Sequence, residues 1–259
     1  MRVSLAGLVL LITGQLFGQS SFSDFTRKTD SLNNAYYKKL KDVGQPKSNG
    51  LKTGFCVEYE LQVDTAVNSS IPVTIQGLDF SLNTEFPAPL TTLIKSEGNF
   101  VNGQMTYLWK WFQASYIWGD TLTWEIIRET EYRNGKKHGT EKEYTSGYLF
   151  RHANYLDDQI TGTETYYMPL DVVYLKALWK NGSAKNATWY YLNGKTKTIK
   201  DYRRYPLTKV TDYHENGKVK AKYTVWGDEE VFDGEYQTFD ANGKLINKKR
   251  YDQGVEEKK

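Results

Sequence analysis

Apolar and polar positions change character along this chain. One basic residue, Arg2, precedes an apolar run from Val3 to Ile12 that weakens towards Phe17 and gives way at Gly18, Gln19 and Ser20. This layout predicts a cleavable secretory signal over residues 1–18, because the run is too short and glycine-interrupted to span a bilayer. Between Asp30 and Asp42, Leu32, Tyr36 and Leu40 recur at helical spacing behind Asp30 as N-cap, so a short N-terminal helix is expected within residues 19–48. From Tyr132 onward the strands are polar, as in Lys195–Tyr202 and Lys244–Tyr251, where little more than one aromatic and one aliphatic side chain is available for burial. Turn signals bound these stretches at Gly135, Gly147, Asp157-Asp158, Gly182, Gly194, Tyr205-Pro206, Gly217, Gly227, Gly243 and Gly254.

Asn-Gly occurs seven times, at Asn49, Asn102, Asn134, Asn181, Asn193, Asn216 and Asn242. Both residues tolerate positive φ, so each pair is expected to form a type I′ hairpin turn. The aromatics keep a matching beat of 22 to 26 residues. One series runs Tyr132, Tyr155, Trp179, Tyr202, Trp226, Tyr251, and a second runs Tyr144, Tyr167, Tyr191, Tyr213, Phe239. Gly139, Gly162 and Gly234 each stand five residues before a member of the second series. Two strands and two turns fill each period, so the expected fold is all-β: an elongated antiparallel meander, one hairpin per repeat, with the periodic rings as rungs between neighbours.

The stretch Tyr132–Tyr144 (YRNGKKHGTEKEY) resembles a MORN repeat of the bacterial variant type, as do Gly234–Gly254 and Tyr213–Lys218. The resemblance covers about half the chain, from Tyr132 to Gly254, and departs from the pattern at Asn186 and at the Met168–Asp171 turn. It implies a solenoid of β-hairpin repeats over residues 132–259. It also implies an antitoxin-component label, which an export signal argues against, and scaffolding or phospholipid contact as known for eukaryotic relatives.

Residues 49–131 are expected to form a more apolar N-terminal β region. Asn49–Tyr59 repeats the glycine-to-tyrosine spacing and is read as a capping repeat. The stretch from Asp64 to Lys95, with Pro72, Pro87 and Pro89, is read as an insertion or a small β domain. The beat resumes near Trp109, which lies 23 residues before Tyr132.

Composition narrows the chemistry. Lys and Arg number 34 against 31 Asp and Glu, a balance that argues against nucleic-acid binding. The lone Cys56, between Phe55 and Val57, is expected to be buried, and the chain gains no internal disulfide. Phosphate loops, zinc-ligand spacings and nucleophile elbows are missing, so neither catalytic residue nor metal nor cofactor is expected. Two carboxylate groupings stand out: Glu141 with Glu143, which share a strand face and are read as surface ion-pairing groups, and Asp228–Glu230 with Asp233 and Glu235, read as a solvated hairpin tip. Six aromatics outside the series, Tyr148, Phe150, Tyr166, Trp189, Tyr190 and Tyr236, are the candidate binding residues, able to stack on sugars or clamp peptides. The basic run Lys248, Lys249, Arg250 offers weak membrane-surface contact. The expected function is an exported, secreted or periplasmic, non-enzymatic scaffold binding a protein or glycan partner. An antitoxin-like neutraliser and a carbohydrate-active protein are the alternatives.

Overall fold

The computed structural model describes residues 19–40, 47–64, 69–75, 78–84, 90–117 and 121–257. The expected signal segment lies outside them. The protein is mostly β, with one helix, α1 (Gln19–Leu40), among the described residues. The strands are β1 (Lys47–Ser48), β2 (Leu51–Lys52), β3 (Gly54–Asp64), β4 (Ser69–Ile75), β5 (Leu78–Thr84), β6 (Leu90–Val101) and β7 (Gln104–Ile117). They continue with β8 (Thr121–Arg133), β9 (Lys136–Thr145), β10 (Tyr148–Leu156), β11 (Gln159–Met168), β12 (Val172–Lys180), β13 (Ser183–Tyr190) and β14 (Thr196–Arg204). The last are β15 (Leu207–Tyr213), β16 (Val219–Trp226), β17 (Val231–Phe232), β18 (Gly234–Phe239), β19 (Leu245–Asp252) and β20 (Val255–Glu256). One antiparallel sheet holds sixteen strands: fifteen follow a single hydrogen-bonded order, in which sequence neighbours are sheet neighbours except where β6 follows β3 and β18 bonds to β16, and β17 pairs with β16 off that path.

The chain divides into two compact units, residues 1–129 with 145–147, and residues 130–144 with 148–259. In the first, β3 and β6 pair over eleven positions from Gly54↔Phe100 to Asp64↔Leu90. The proline-bearing stretch between them folds as the separate hairpin β4–β5, paired only with itself among the described residues. Its core holds Cys56, Leu93, Ile94, Phe100 and Trp109. Trp109 lies flat over Gly98, where any Cβ would overlap the indole, and packs against the Phe100 ring edge at 4.9 Å. Burial pushes the Cys56 thiol pKa up, leaving an inert small hydrophobe.

Helix α1 starts eleven residues before Asp30, at Gln19. Asp30 is therefore not an N-cap. Its carboxylate accepts the Thr91 amide at 2.6 Å and the Thr91 hydroxyl at 2.7 Å, and Asn33 donates to the Thr91 carbonyl. These bonds tie the helix to β6.

Every turn expected from Gly135 to Gly254 is present. The Asn-Gly pairs at 49, 102, 134 and 181 have positive φ at both residues, as type I′ requires. The pairs at 193, 216 and 242 do not: only the glycine is left-handed. There the turn is one step longer, closed by Tyr191 N to Lys195 O, His214 N to Lys218 O and Asp240 N to Lys244 O. Asn193 and Asn216 instead use their side-chain oxygens to accept the amide two residues on. Dipeptide identity does not fix the turn type; the number of residues left between ladder ends does.

Register shifts recur beside the second aromatic series, at Tyr166/Tyr167, Trp189/Tyr190, Asp212/Tyr213 and Thr238/Phe239. Gly139, Gly162 and Gly234 all have positive φ within strands. At Gly139 the missing Cβ also makes room for the Glu131 carboxylate, which accepts the Thr140 amide at 2.6 Å. Successive turns are joined by amide-to-carbonyl bonds: Asp158 to Lys137, Gly182 to Ile160, Gly227 to Pro206 and Gly254 to Phe232.

Alternation across β12 to β16 separates two faces. One buries Ala177, Ala187, Val210, Ala221 and Val225, flanked by Trp179, Trp189 and Tyr223. The other carries polar rows set by the register, Lys176–Thr188–Ile199–Thr211–Lys222 and Leu178–Asn186–Asp201–Lys209–Thr224. Lys176, Lys209 and Lys222 on these rows are exposed.

Candidate functional site

The apolar face of the second unit contains a buried ion network rather than surface pairs. Arg151 on β10 donates to Glu141 at 2.9 Å, to Glu143 at 3.0 Å, to Glu164 at 2.5 Å and to the Tyr155 hydroxyl at 3.1 Å. Side-chain exposure is 8% for Arg151, 2% for Glu141 and 5% for Glu164, which corrects the reading of Glu141 as a surface group. Glu141 further accepts from Lys137 at 2.5 Å and Thr130 at 3.0 Å, while Glu164 accepts from the Tyr166 hydroxyl and from Trp179 Nε1. Burial alone would raise the Glu141 pKa, but the bonds from Lys137, Arg151 and Thr130 outweigh it and hold the carboxyl below its usual range. Burial likewise opposes the charge on Arg151, yet Tyr155 and Glu164 raise its pKa. Glu141 and Glu164 each accept from three donors, so the network ties β9, β10 and β11 together.

The six candidate aromatics outside the series are all half-buried. Phe150 meets Tyr166 edge-on at 5.7 Å, and Tyr166 lies 6.0 Å from Tyr174. Trp189 receives the Lys200 ammonium over its ring. Tyr236 belongs to a ring cluster with Tyr223, Phe232 and Tyr251. Tyr148 and Tyr190 lie on β10 and β13. Phe150, Tyr166, Trp189 and Tyr236 therefore pack against neighbours within the sheet.

The two periodic series are half-buried rungs, with one exception. The Tyr191 hydroxyl donates to the Tyr213 carbonyl at 2.7 Å, linking rungs of adjacent repeats. Trp226 is the exception: it pairs with Leu207 and Val231 and is 49% exposed. Val225, one residue earlier, takes the buried position. A one-residue offset turns a side chain to the opposite face, and Phe232 fills the vacated rung against Tyr223 and Tyr251.

The open face is where unclaimed chemistry lies. A shallow depression of about 350 Å³ is lined by Asp201, Arg203, Arg204, Leu207 and Lys209. Register sets Arg204, Leu207 and Trp226 in one cross-strand row. Asp201, Lys209 and Thr224 form the next. Arg203 clasps Asp201 with contacts between 2.5 and 3.1 Å, and those bonds hold the Asp201 carboxyl down at about 2. Tyr205, at the turn beside the depression, is 58% exposed and donates to Asp228 at 3.1 Å. Sequence patterning missed this group, because its aromatic member belonged to the periodic series and its cations lie on two strands.

The other polar groupings are internally satisfied. Glu230 pairs with Lys200, and no metal-holding cluster of His, Cys, Asp and Glu occurs among the described residues. Lys248, Lys249 and Arg250 pair with Glu235, Glu256 and Glu257 respectively. No family model and no curated protein matches the chain. Among solved structures it is similar to a porin-like protein from Bacteroides uniformis ATCC 8492, at 10% identity over 83% of this chain and 96% of that one, with a TM-score of 0.24.

Proposed function

We propose that the protein is an exported, non-enzymatic repeat protein of MORN type that presents one sheet face as a binding scaffold for the cell envelope. The observation that carries this reading is the unequal use of the two faces of the second unit. The carboxylates that could have formed an acid–base pair are saturated by Arg151 and Lys137. The opposite face leaves lysines, threonines and Trp226 facing solvent. The recurrence of bulges, positive-φ glycines and ring contacts with the sequence period supports the MORN-type solenoid. An antitoxin-like role has no such support.

Two measurements test the reading. N-terminal sequencing of the protein from secreting cells should begin at Gln19, and an intact Met1 in the cytosolic fraction would overturn export. The purified chain should co-sediment with isolated envelope fragments, and full recovery in the supernatant would overturn the scaffold role.

A further inference from the structure

We infer that the depression between β14 and β15 is a binding site for an acidic saccharide, with Trp226 on the neighbouring strand β16 as its stacking platform. This rests on the scaffold reading and names its ligand class. Three observations converge. An exposed indole in a unit whose other periodic rings are half-buried forgoes apolar burial that the fold could have used. The ring stands in the same cross-strand row as Arg204, two strands away, at a reach of about 10 Å from ordinary strand spacing. Neither Arg204 nor Lys209 makes an ion pair among the described residues, so both keep donors available in the depression.

Charge selects among anions. Asp201 lines the same depression and is ionised at neutral pH. With Arg203 committed to it, the site carries two uncompensated positive charges and one acceptor-only carboxylate. A polyphosphate gains little there, since its closely spaced charges meet a fixed carboxylate between the cations. A uronate-bearing sugar uses the open groups: its apolar ring face stacks on Trp226, its carboxylate takes the Arg204 fork, and its hydroxyls accept from Lys209, while Asp201 stays with Arg203. The row is long enough for two linked rings.

The test uses the full chain and calorimetric titration with three probes: a hexamer of galacturonate, its methyl ester, and a phosphate polymer of equal length. Saturable binding of the free acid is expected, weakened at least tenfold by esterification and at least tenfold by Arg204→Met or Trp226→Ala. Far-UV circular dichroism checks that each variant is folded, and Lys248→Met serves as a folded control with unchanged affinity. Equal affinity for acid and ester, tighter binding of the phosphate polymer, or no saturable binding overturns the proposal. Envelope co-sedimentation that survives such a failure sinks the saccharide site alone, whereas loss of both sinks the scaffold reading too.

Discussion

Replacing Arg151 with methionine keeps the bulk of the side chain and deletes a cation that touches three carboxylates. Glu143 is 17% exposed and can recruit water. Glu141 retains Lys137 and Thr130. Glu164 is the costly one: 5% exposed, it loses its ion pair and keeps only the neutral donors Tyr166 and Trp179. Breaking a buried ion pair costs about 3–5 kcal/mol, and two surviving donors place the expected loss near the lower end, at about 3 kcal/mol. With a urea dependence of about 2 kcal/mol/M, the unfolding midpoint should fall by about 1.5 M. Urea titration followed by tryptophan fluorescence reads this directly, since Trp179 is bonded to Glu164. The double variant Arg151→Met with Glu164→Gln should recover at least half of the loss, because removing both partners leaves no orphaned charge. A single-variant loss below about 1 kcal/mol, or a double variant no better than the single, would refute the assignment of the network as a buried organiser.

Three further outcomes follow from the geometry. Gly139→Ala should destabilise by about 1–3 kcal/mol, since φ is +112° and the new methyl would displace Glu131 from Thr140; an unchanged melting temperature would contradict this. Leu170→Gly should stabilise by about 0.5–1 kcal/mol, because this leucine is 92% exposed and held at φ +65°, and a lowered melting temperature would count against it. Glu141 has a folded pKa below its unfolded value of about 4.3, so its contribution is complete well above that pH and is lost as pH falls through the folded value. The stability gap between wild type and Glu141→Gln should therefore narrow from pH 7 to pH 3, and a constant gap would exclude this linkage.

The turns were legible because Asn-Gly and Asp-Asp act locally, through φ, and need no knowledge of the rest of the chain. The meander was legible for the same reason, as evenly spaced turns leave room only for sequential strands. What escaped depended on parity and on cross-strand distance. Counting 24 residues from Tyr202 places Trp226 on a rung, yet the pairing Asp201↔Lys209↔Thr224 sets residue 226 on the face of Asp201 and leaves Val225 on the opposite one. Arg151, Glu141 and Glu164 lie on three strands, and nothing local distinguishes them from the solvated charges around them. Asp30 shows the reverse error: a good capping residue, it serves instead to bond Thr91, 61 residues away.

The strictly sequential strand order has a kinetic consequence. Along β9 to β16 each strand bonds to the one synthesised just before it, across connections of a few residues. Loop closure is therefore cheap at every step, and a hairpin can close as soon as its second strand exists. Truncation at successive turns should then remove stability in increments of one hairpin, without trapping the remainder in a non-native pairing. The same feature fits the export proposed above, in which the chain is threaded unfolded and assembled one hairpin after another.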